Sequence, residues 1–440
     1  MIIMKFGGTS VGNADRIRNV AKIVKSYLNR KPVVVVSAVT KMTDALIKLA
    51  NECVQGRGNK IYENIFNVHS EIIEKLKLDK ELLQNDFEEL KKLVNETTNK
   101  RNTDAKTLDH FQSFGEQMSS KVVAAQLNKI GVKARAFNSW ELGFLTNYEF
   151  GDAEPLEIAY NNLKKHIRIL NVVPVVTGFI GKTENGEITT LGRGGSDYTA
   201  AIVGAAIHAS EIQIWTDVNG IMSTDPKIVG NAKTIDKVSF AEASELAYFG
   251  AKVLHPKTIL PAMKKNIAVK VLNSFNPKNK GTAILSKVKK SKKTAIGIAY
   301  KKNITLINVE STRMIDASGF MARFFDIFDE YGKSIDIIST SIVSVSLTID
   351  SEENLESIMK ELKEIANVEI TRNKAIICVV GEGMRNTPGI AGRTFTALGR
   401  NNINIEMISQ GASEINITFI VDGKDAEKAV KVLHKEYFGG

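Results

Sequence analysis

A chain of 440 residues exceeds what one hydrophobic core usually organises, so two or three domains are expected. An apolar fraction of 43% and a charged fraction of 25% fit packed globular domains and exclude a disordered or fibrous chain. The net charge of +10 is compatible with a nucleic-acid partner, with an anionic substrate, or with solubility alone. No basic leader followed by an apolar stretch is present, nor any apolar run near the ~20 residues of a membrane span, so neither secretion nor a membrane partner is expected.

The chain opens MIIMKFGGTS, with a lysine before paired glycines. A Walker A loop would place its lysine after them. Ile2 to Phe6 reads as a buried strand, and Gly7-Gly8-Thr9-Ser10 turns into a helix carrying Val11, Ile17, Val20 and Val24. Lys5 at the strand's carboxyl end points into the crevice where open α/β sheets bind ligands, and the glycines let backbone amides close on an anion. Lys5 can therefore meet a phosphoryl group in flight, or be a surface lysine beside a tight turn.

Further β-branched runs follow at Pro32 to Val39, Val172 to Ile180, Glu211 to Thr216 and Ala268 to Leu272. Consecutive apolar positions mark strands covered on both faces, so the reading is an α/β layer sandwich with a mainly parallel sheet. Between 59 and 128 the apolar spacing is helical, which predicts an excursion without strands.

Ser37-Ala38-Val39-Thr40-Lys41-Met42-Thr43-Asp44 supplies hydroxyls at a strand end. Phe114-Gly115-Glu116 places a carboxylate at a predicted helix start, where Glu116 could cap the helix or meet a ligand ammonium. Leu191-Gly192-Arg193-Gly194-Gly195-Ser196-Asp197 opens another helix, and an arginine among glycines suits a carboxylate or phosphate. Asp197 in the first turn could cap it. Trp215-Thr216-Asp217-Val218-Asn219-Gly220 and Thr224-Asp225-Pro226-Lys227 could hold a nucleoside or simply make two turns. Gly250-Ala251-Lys252-Val253-Leu254-His255-Pro256 adds a candidate cation beside phosphate, or an exposed helix lysine at Lys252. The six histidines form no metal-ligand pattern, and no nucleophile elbow is visible.

From Pro277 to Lys302 there are nine lysines and no acid, read as a solvated connector. The run lacks interleaved aromatics, so no nucleic-acid partner is expected. The chain then repeats: GFMARFFDIFDEYGKSIDIIS from Gly319 overlies GIAGRTFTALGRNNINIEMIS from Gly389 at a constant offset of 70. Strand, helix, strand, strand and a closing helix in each copy make ferredoxin-like βαββαβ units. The run AIGIAY at Ala295 is expected to pair within the second unit, making the first an insertion. The two cysteines, Cys53 and Cys378, are far apart in sequence and support a reducing, cytoplasmic location.

With KFGGTSV, GRGGSD, WTDVNG, TDPK and GAKVLHP in this order, ahead of a doubled ferredoxin-like unit, the chain closely resembles aspartate kinase over essentially its whole length. The resemblance implies an amino-acid kinase (carbamate kinase-like) αβα sandwich followed by two ACT domains. The implied boundaries are 1–275 for the catalytic domain, with the helical excursion at about 59–128, and 276–294 for the lysine-rich linker. The inserted first ACT domain would span 303–371, and 295–302 with 373–440 would form the second. The implied reaction moves the γ-phosphate of ATP, carried with Mg²⁺, onto the β-carboxylate of L-aspartate, opening lysine, threonine and methionine biosynthesis.

Carried across by resemblance, Lys5 stabilises the transferring phosphate, Asp197 orients the catalytic groups, and Gly7, Gly8 and Thr9 lie beside the phosphates. Arg193 would clamp the aspartate α-carboxylate with Ser196 close by, and Ser37, Thr43 and Glu116 would be further aspartate contacts. Thr216, Asp217, Lys227, Lys252 and Val253 match ATP-contacting positions; no residue is assigned to a metal. Met314, Asp316, Ser318, Gly319, Phe320, Asp336, Thr340 and Ser341 match an allosteric amino-acid site, for L-lysine rather than threonine. Lys227 stands where arginine is common, Met222 where a tyrosine often contacts nucleotide, and Ile342 where lysine-bound relatives carry an acid. A homo-oligomer, dimer or dimer of dimers, is implied through the ACT domains, and no fused homoserine dehydrogenase is expected after Gly440.

Overall fold

Ile2–Phe6 forms strand β1 and is buried at every position, because the parallel strands beside it and the helices packed on the sheet leave its apolar side chains no contact with water. The computed structural model describes residues 1–250, 254, 256–288, 294–315 and 319–439, which fall into two units. The first unit is Met1–Ile221 with Asp236–Phe240 and Val253–Lys287.

After β1 come α1 (Ala14–Ser26), β2 (Pro32–Val36), α2 (Met42–Val54), α3 (Asn59–Leu76), α4 (Gln84–Lys100) and α5 (Ala105–Lys129). Then follow β3 (Ala134–Phe137), α6 (Glu157–Arg168), β4 (Val173–Thr177), β5 (Ile180–Lys182), β6 (Ile188–Thr190), α7 (Gly195–Ile207) and β7 (Glu211–Thr216). The series continues with β8 (Lys237–Ser239), α8 (Phe240–Tyr248), α9 (Pro256–Lys264), β9 (Val269–Asn273) and β10 (Thr282–Leu285). The sheet order is β3-β4-β2-β1-β7-β9-β10-β8, with β10 antiparallel to β9 and the other pairings parallel. β2 lies on one side of β1 and β7 on the other, so the topology opens a crevice at the carboxyl end of β1.

Two expectations change here. The helix carrying Glu116 begins at Ala105 with Asp104 as its cap, so Glu116 sits in mid-helix and caps nothing. Gly115 is compatible with this position because a Cβ there would stand 2.7 Å from Ala38 Cβ: the helix is pressed against the loop after β2. The stretch 276–294 is not a bare connector. Thr282 and Ile284 are buried in β10, and this short alternation prevails over the flanking lysines.

The second unit is Met222–Ile235 with Ala241–Lys252 and Val288–Gly440. It contains β11 (Gly297–Glu310), α10 (Phe320–Glu330), β12 (Ile337–Thr340), β13 (Ser344–Ile349), α11 (Leu355–Ile365) and β14 (Asn367–Val380). Then come α12 (Ile390–Gly399), β15 (Met407–Ser409), β16 (Asn416–Asp422) and α13 (Ala426–Phe438). The order β12-β13-β11-β14-β16-β15 is one six-stranded antiparallel sheet shared by both copies of the repeat. The runs from Ala295 and Ile304 are a single strand. Its register shifts beside Asn303, whose φ of +59° suits an asparagine. Gly297–Lys301 pairs with Ile376–Val380 of the second copy. Each copy packs its two helices over a separate apolar core, one around Phe324 and Leu347, the other around Phe419 and Leu433.

Met222–Ile235 and Ala241–Lys252, expected within a catalytic domain of 1–275, are grouped with this second unit. Polar contacts hold the described parts there. The Ile298 N–H donates to the Ser223 carbonyl at 2.8 Å, and Ser223 Oγ lies 3.0 Å from His434 Nε2. The Glu382 N–H donates to the Glu242 carboxylate at 2.7 Å, and Asn416 Nδ2 donates to Glu245 at 2.6 Å. None of these partners is adjacent in sequence, so periodicity could not reveal the exchange.

Candidate active site

The carboxyl ends of β1, β2 and β4 and the amino end of α7 surround a cavity of about 580 Å³. Lys5, Ser37, Thr43, Glu116, Arg193, Ser196 and Asp197 all line it, although they come from four separate stretches of chain. Lys5 is 9% exposed and its Nζ lies 2.6 Å from Asp197 Oδ1. Gly194, with φ of +73°, ends the glycine loop and starts α7, so Asp197 falls in the first turn facing Lys5. Its side chain joins an ion pair, whereas the cap position itself is Gly194.

Glu116 is 2% exposed and accepts one hydrogen bond on Oε1, from the Ala38 N–H at 3.0 Å, while Oε2 has no partner. Burial pushes its carboxyl up to about 8, against the opposing pull of the Ala38 N–H and of Lys5. A buried acceptor with one empty oxygen is what a ligand ammonium would satisfy. Arg193 is exposed on the rim and makes no ion pair among the described residues, so its fork is free for a carboxylate.

The glycine loop after β1 is pinned from both sides. The Gly7 N–H donates to the Trp215 carbonyl at 3.1 Å, and Thr40 Oγ1 donates to the Gly8 carbonyl at 2.8 Å. The close approach is at position 8, where a Cβ would stand 2.9 Å from the Ala38 carbonyl oxygen, whereas at position 7 it would make only an ordinary 3.5 Å contact with Lys5 Nζ. Thr9 is half-buried, and its carbonyl accepts from Arg16 at 3.0 Å. Thr216 and Asp217 stand at the end of β7, the strand next to β1, with the Thr216 hydroxyl donating to Asp217 at 3.2 Å.

Lys227 is exposed in the second unit, its N–H donating to Asp225 at 2.9 Å. Lys252 and Val253 lie outside the described residues, as do Asp316 and Ser318. Of the other candidate effector residues, Gly319 takes φ of +94° before α10, Phe320 and Met314 pack beside the first core, and Thr340 and Ser341 are exposed. Asp336 is already engaged. Lys301 Nζ lies 2.9 Å away and Tyr248 Oη donates at 3.2 Å, while the carboxylate is 6% exposed.

Several lining residues were not among the site candidates drawn from the sequence: Asp44, Gln112, Gly151, Phe179 and Thr190. Phe179 holds φ of +66° in a γ-turn closed by the Ile180 N–H on the Gly178 carbonyl at 2.7 Å. Glycine is required before it, because a Cβ on Gly178 would reach 2.6 Å from Ser196 Cβ. A glycine-aromatic pair at a strand's carboxyl end is the clue that could have found it.

A buried lysine–aspartate pair, a glycine loop at the switch strand and an arginine on the rim define a phosphoryl-transfer domain of the amino acid kinase family, whose model matches residues 1–273. A model described as an ACT domain matches 377–437. The chain is 40% identical over 458 residues to aspartokinase 1, chloroplastic, of Arabidopsis thaliana, covering 99% of this chain and 80% of that one. It is 37% identical to lysine-sensitive aspartokinase 3 of Escherichia coli (strain K12), covering 100% and 99%. The crystal structure of E. coli aspartokinase III in complex with aspartate and ADP superposes with a TM-score of 0.87 at 36% identity over the whole of both chains. The chain belongs to the aspartokinase family.

Proposed function

We propose that this chain is an ATP:L-aspartate 4-phosphotransferase, yielding 4-phospho-L-aspartate and ADP, and that L-lysine inhibits it through the ACT units. The observation that carries the reading is the cavity in which the Lys5–Asp197 pair, Glu116 and Arg193 converge. An ionised carboxylate is already a nucleophile at neutral pH, so no general base is needed. What remains is to position two anions and cancel the charge between them.

Arg193 takes the α-carboxylate, Glu116 the ammonium, and Ser37, Thr43 and Ser196 supply hydroxyls around the rest. This leaves the β-carboxylate directed toward Lys5. Gly7, Gly8 and Thr9 border the phosphates, and Lys5 stabilises the charge that develops on the phosphoryl oxygens in transfer. Asp197 holds Lys5 in place. Thr216, Asp217, Lys227, Lys252 and Val253 are the nucleotide contacts of this reading. Magnesium fits as a companion of the nucleotide. No group of three acidic, histidine or cysteine side chains placed to hold a metal ion exists among the described residues, and a phosphate-borne ion needs only one or two carboxylates, for which Asp197 and Asp217 are the candidates. Bound there, the ion would neutralise phosphate charge.

The effector reading uses Met314, Asp316, Ser318, Gly319, Phe320, Asp336, Thr340 and Ser341. Homo-oligomerisation through the ACT units belongs to the same reading, and the buried, unpaired Cys53 and Cys378 suit a cytoplasmic location. A coupled assay for ADP release with aspartate as acceptor, repeated with glutamate and across a lysine titration, tests it. Aspartate-dependent turnover falling with lysine is expected. Turnover with glutamate alone would overturn the acceptor, and insensitivity to lysine would overturn the effector.

A further inference from the structure

Asp109 lies seven residues before Glu116, two turns along the same helix, and is 1% exposed. It ties together two stretches that border the cavity. Oδ2 accepts the Gly151 N–H at 2.9 Å and the Thr190 N–H at 2.8 Å, and Oδ1 accepts the Thr190 hydroxyl at 2.7 Å. Gly151 and Thr190 both line the cavity, whereas Asp109 does not. Burial raises its carboxyl while these donors draw it the other way.

A threonine hydroxyl has one hydrogen to give, and here it is spent on Asp109. Any group that reaches this hydroxyl from the cavity therefore meets lone pairs only. In its ionised form Glu116, on the same helix as Asp109, offers the same polarity through its unpartnered Oε2. Two such acceptors favour an ammonium, which has a hydrogen for each; a hydroxyl can meet only one of them and a methylene neither.

We propose that Asp109 is a positioning residue for acceptor specificity: it fixes the Thr190 hydroxyl as a hydrogen-bond acceptor toward the substrate's ammonium and holds the Gly151 loop in place beside it. The inference rests on the aspartate-kinase reading and sharpens it to α-amino acids.

Asp109→Asn tests the polarity with little change of shape. Its amide oxygen can keep both backbone donors, but its NH₂ then donates to Thr190 and releases that hydroxyl's hydrogen toward the cavity. Expected is a rise of about tenfold in KM for aspartate, with KM for ATP and kcat at saturating aspartate within about twofold of wild type. The relative rate with succinate, which lacks the amino group, should rise in the same variant. An unchanged KM for aspartate, or KM values for aspartate and ATP rising together, overturns the proposal. Should Asp109→Asn not fold, Thr190→Val and Thr190→Ser replace it. Valine should raise KM for aspartate and serine restore it, and a valine variant with wild-type KM overturns the proposal. Wild-type enzyme that phosphorylates no aspartate would sink the underlying reading instead, and is measured first.

Discussion

The Lys5 ammonium rests 2.6 Å from Oδ1 of Asp197, fastening the end of β1 to the first turn of α7. The pair keeps a cation nearly enclosed at the cavity floor before any anion arrives. Such preorganisation acts on the transition state, because no solvent has to reorient when charge moves. Lys5→Ala should therefore lower kcat by about 10²–10³-fold while KM for aspartate stays within about threefold, the pattern of an interaction made in the transition state. Initial-rate kinetics check it, and unchanged turnover would remove Lys5 from the chemistry.

Glu116 should give the enzyme two opposite responses to pH. Its carboxyl titrates at about 8 when folded and near 4.5 as an unperturbed group. Between those values the unfolded chain has released the proton and the folded chain has kept it, so stability falls as pH rises and levels off above about 8. Glu116→Gln should flatten that part of a melting-temperature profile. Binding should run the other way. The ionised form takes the substrate ammonium, so KM for aspartate in the wild type should drop as pH climbs toward 8, and the glutamine variant should lack the drop.

Phe179 pays for its place in the wall with a positive φ that L-residues seldom adopt. Its N–H donates to Thr199 Oγ1 at 3.0 Å and its carbonyl accepts from the Leu191 N–H at 2.9 Å, which hold the turn closed. Removing the ring leaves the strain with alanine and relieves it with glycine. Phe179→Gly should thus be more stable than Phe179→Ala by about 1 kcal/mol in denaturant titrations, the reverse of the usual order for these residues.

Lys301, on the part of β11 that pairs with the second copy, joins Asp336 at 2.9 Å and Asp350 at 2.8 Å in the first copy. Asp336 is the buried partner, with Tyr248 Oη as its other donor. Lys301→Met should cost about 3 kcal/mol, since it strands a carboxylate away from water. Adding Asp336→Asn should recover part of the loss. Thermal melts of the single and double variants decide it, and a double variant no better than the single would show that the charge is not the cause.

Much of the architecture was legible locally. The unbroken apolar runs at Ile2 and Val33 announced strands covered on both faces, and the offset of 70 announced a duplicated unit. Glycine loops at Gly7 and Gly192 pointed to anion sites because their spacing is a property of the adjoining strand or helix. Glu116 was misread as lying at a helix start because Phe114-Gly115 resembles a break, whereas Gly115 is in the helix interior, pressed against Ala38. β10 was hidden by lysines, whose charge says nothing about the two side chains that face inward.

The sequence by itself determined the principal buried strands of the parallel sheet, the helical stretch between 59 and 128, the doubling of the C-terminal unit, and the cationic and acidic residues offered to two anions. Those follow from periodicity, turn chemistry and charge, which act over a few neighbouring residues. Only the tertiary structure decided that Lys5 meets Asp197, that Asp109 governs Thr190, and that Ser223 and Glu242 pack with the second unit. Such pairings are chosen by burial, where each polar atom withdrawn from water takes whatever partner the fold brings within hydrogen-bonding reach, however distant along the chain.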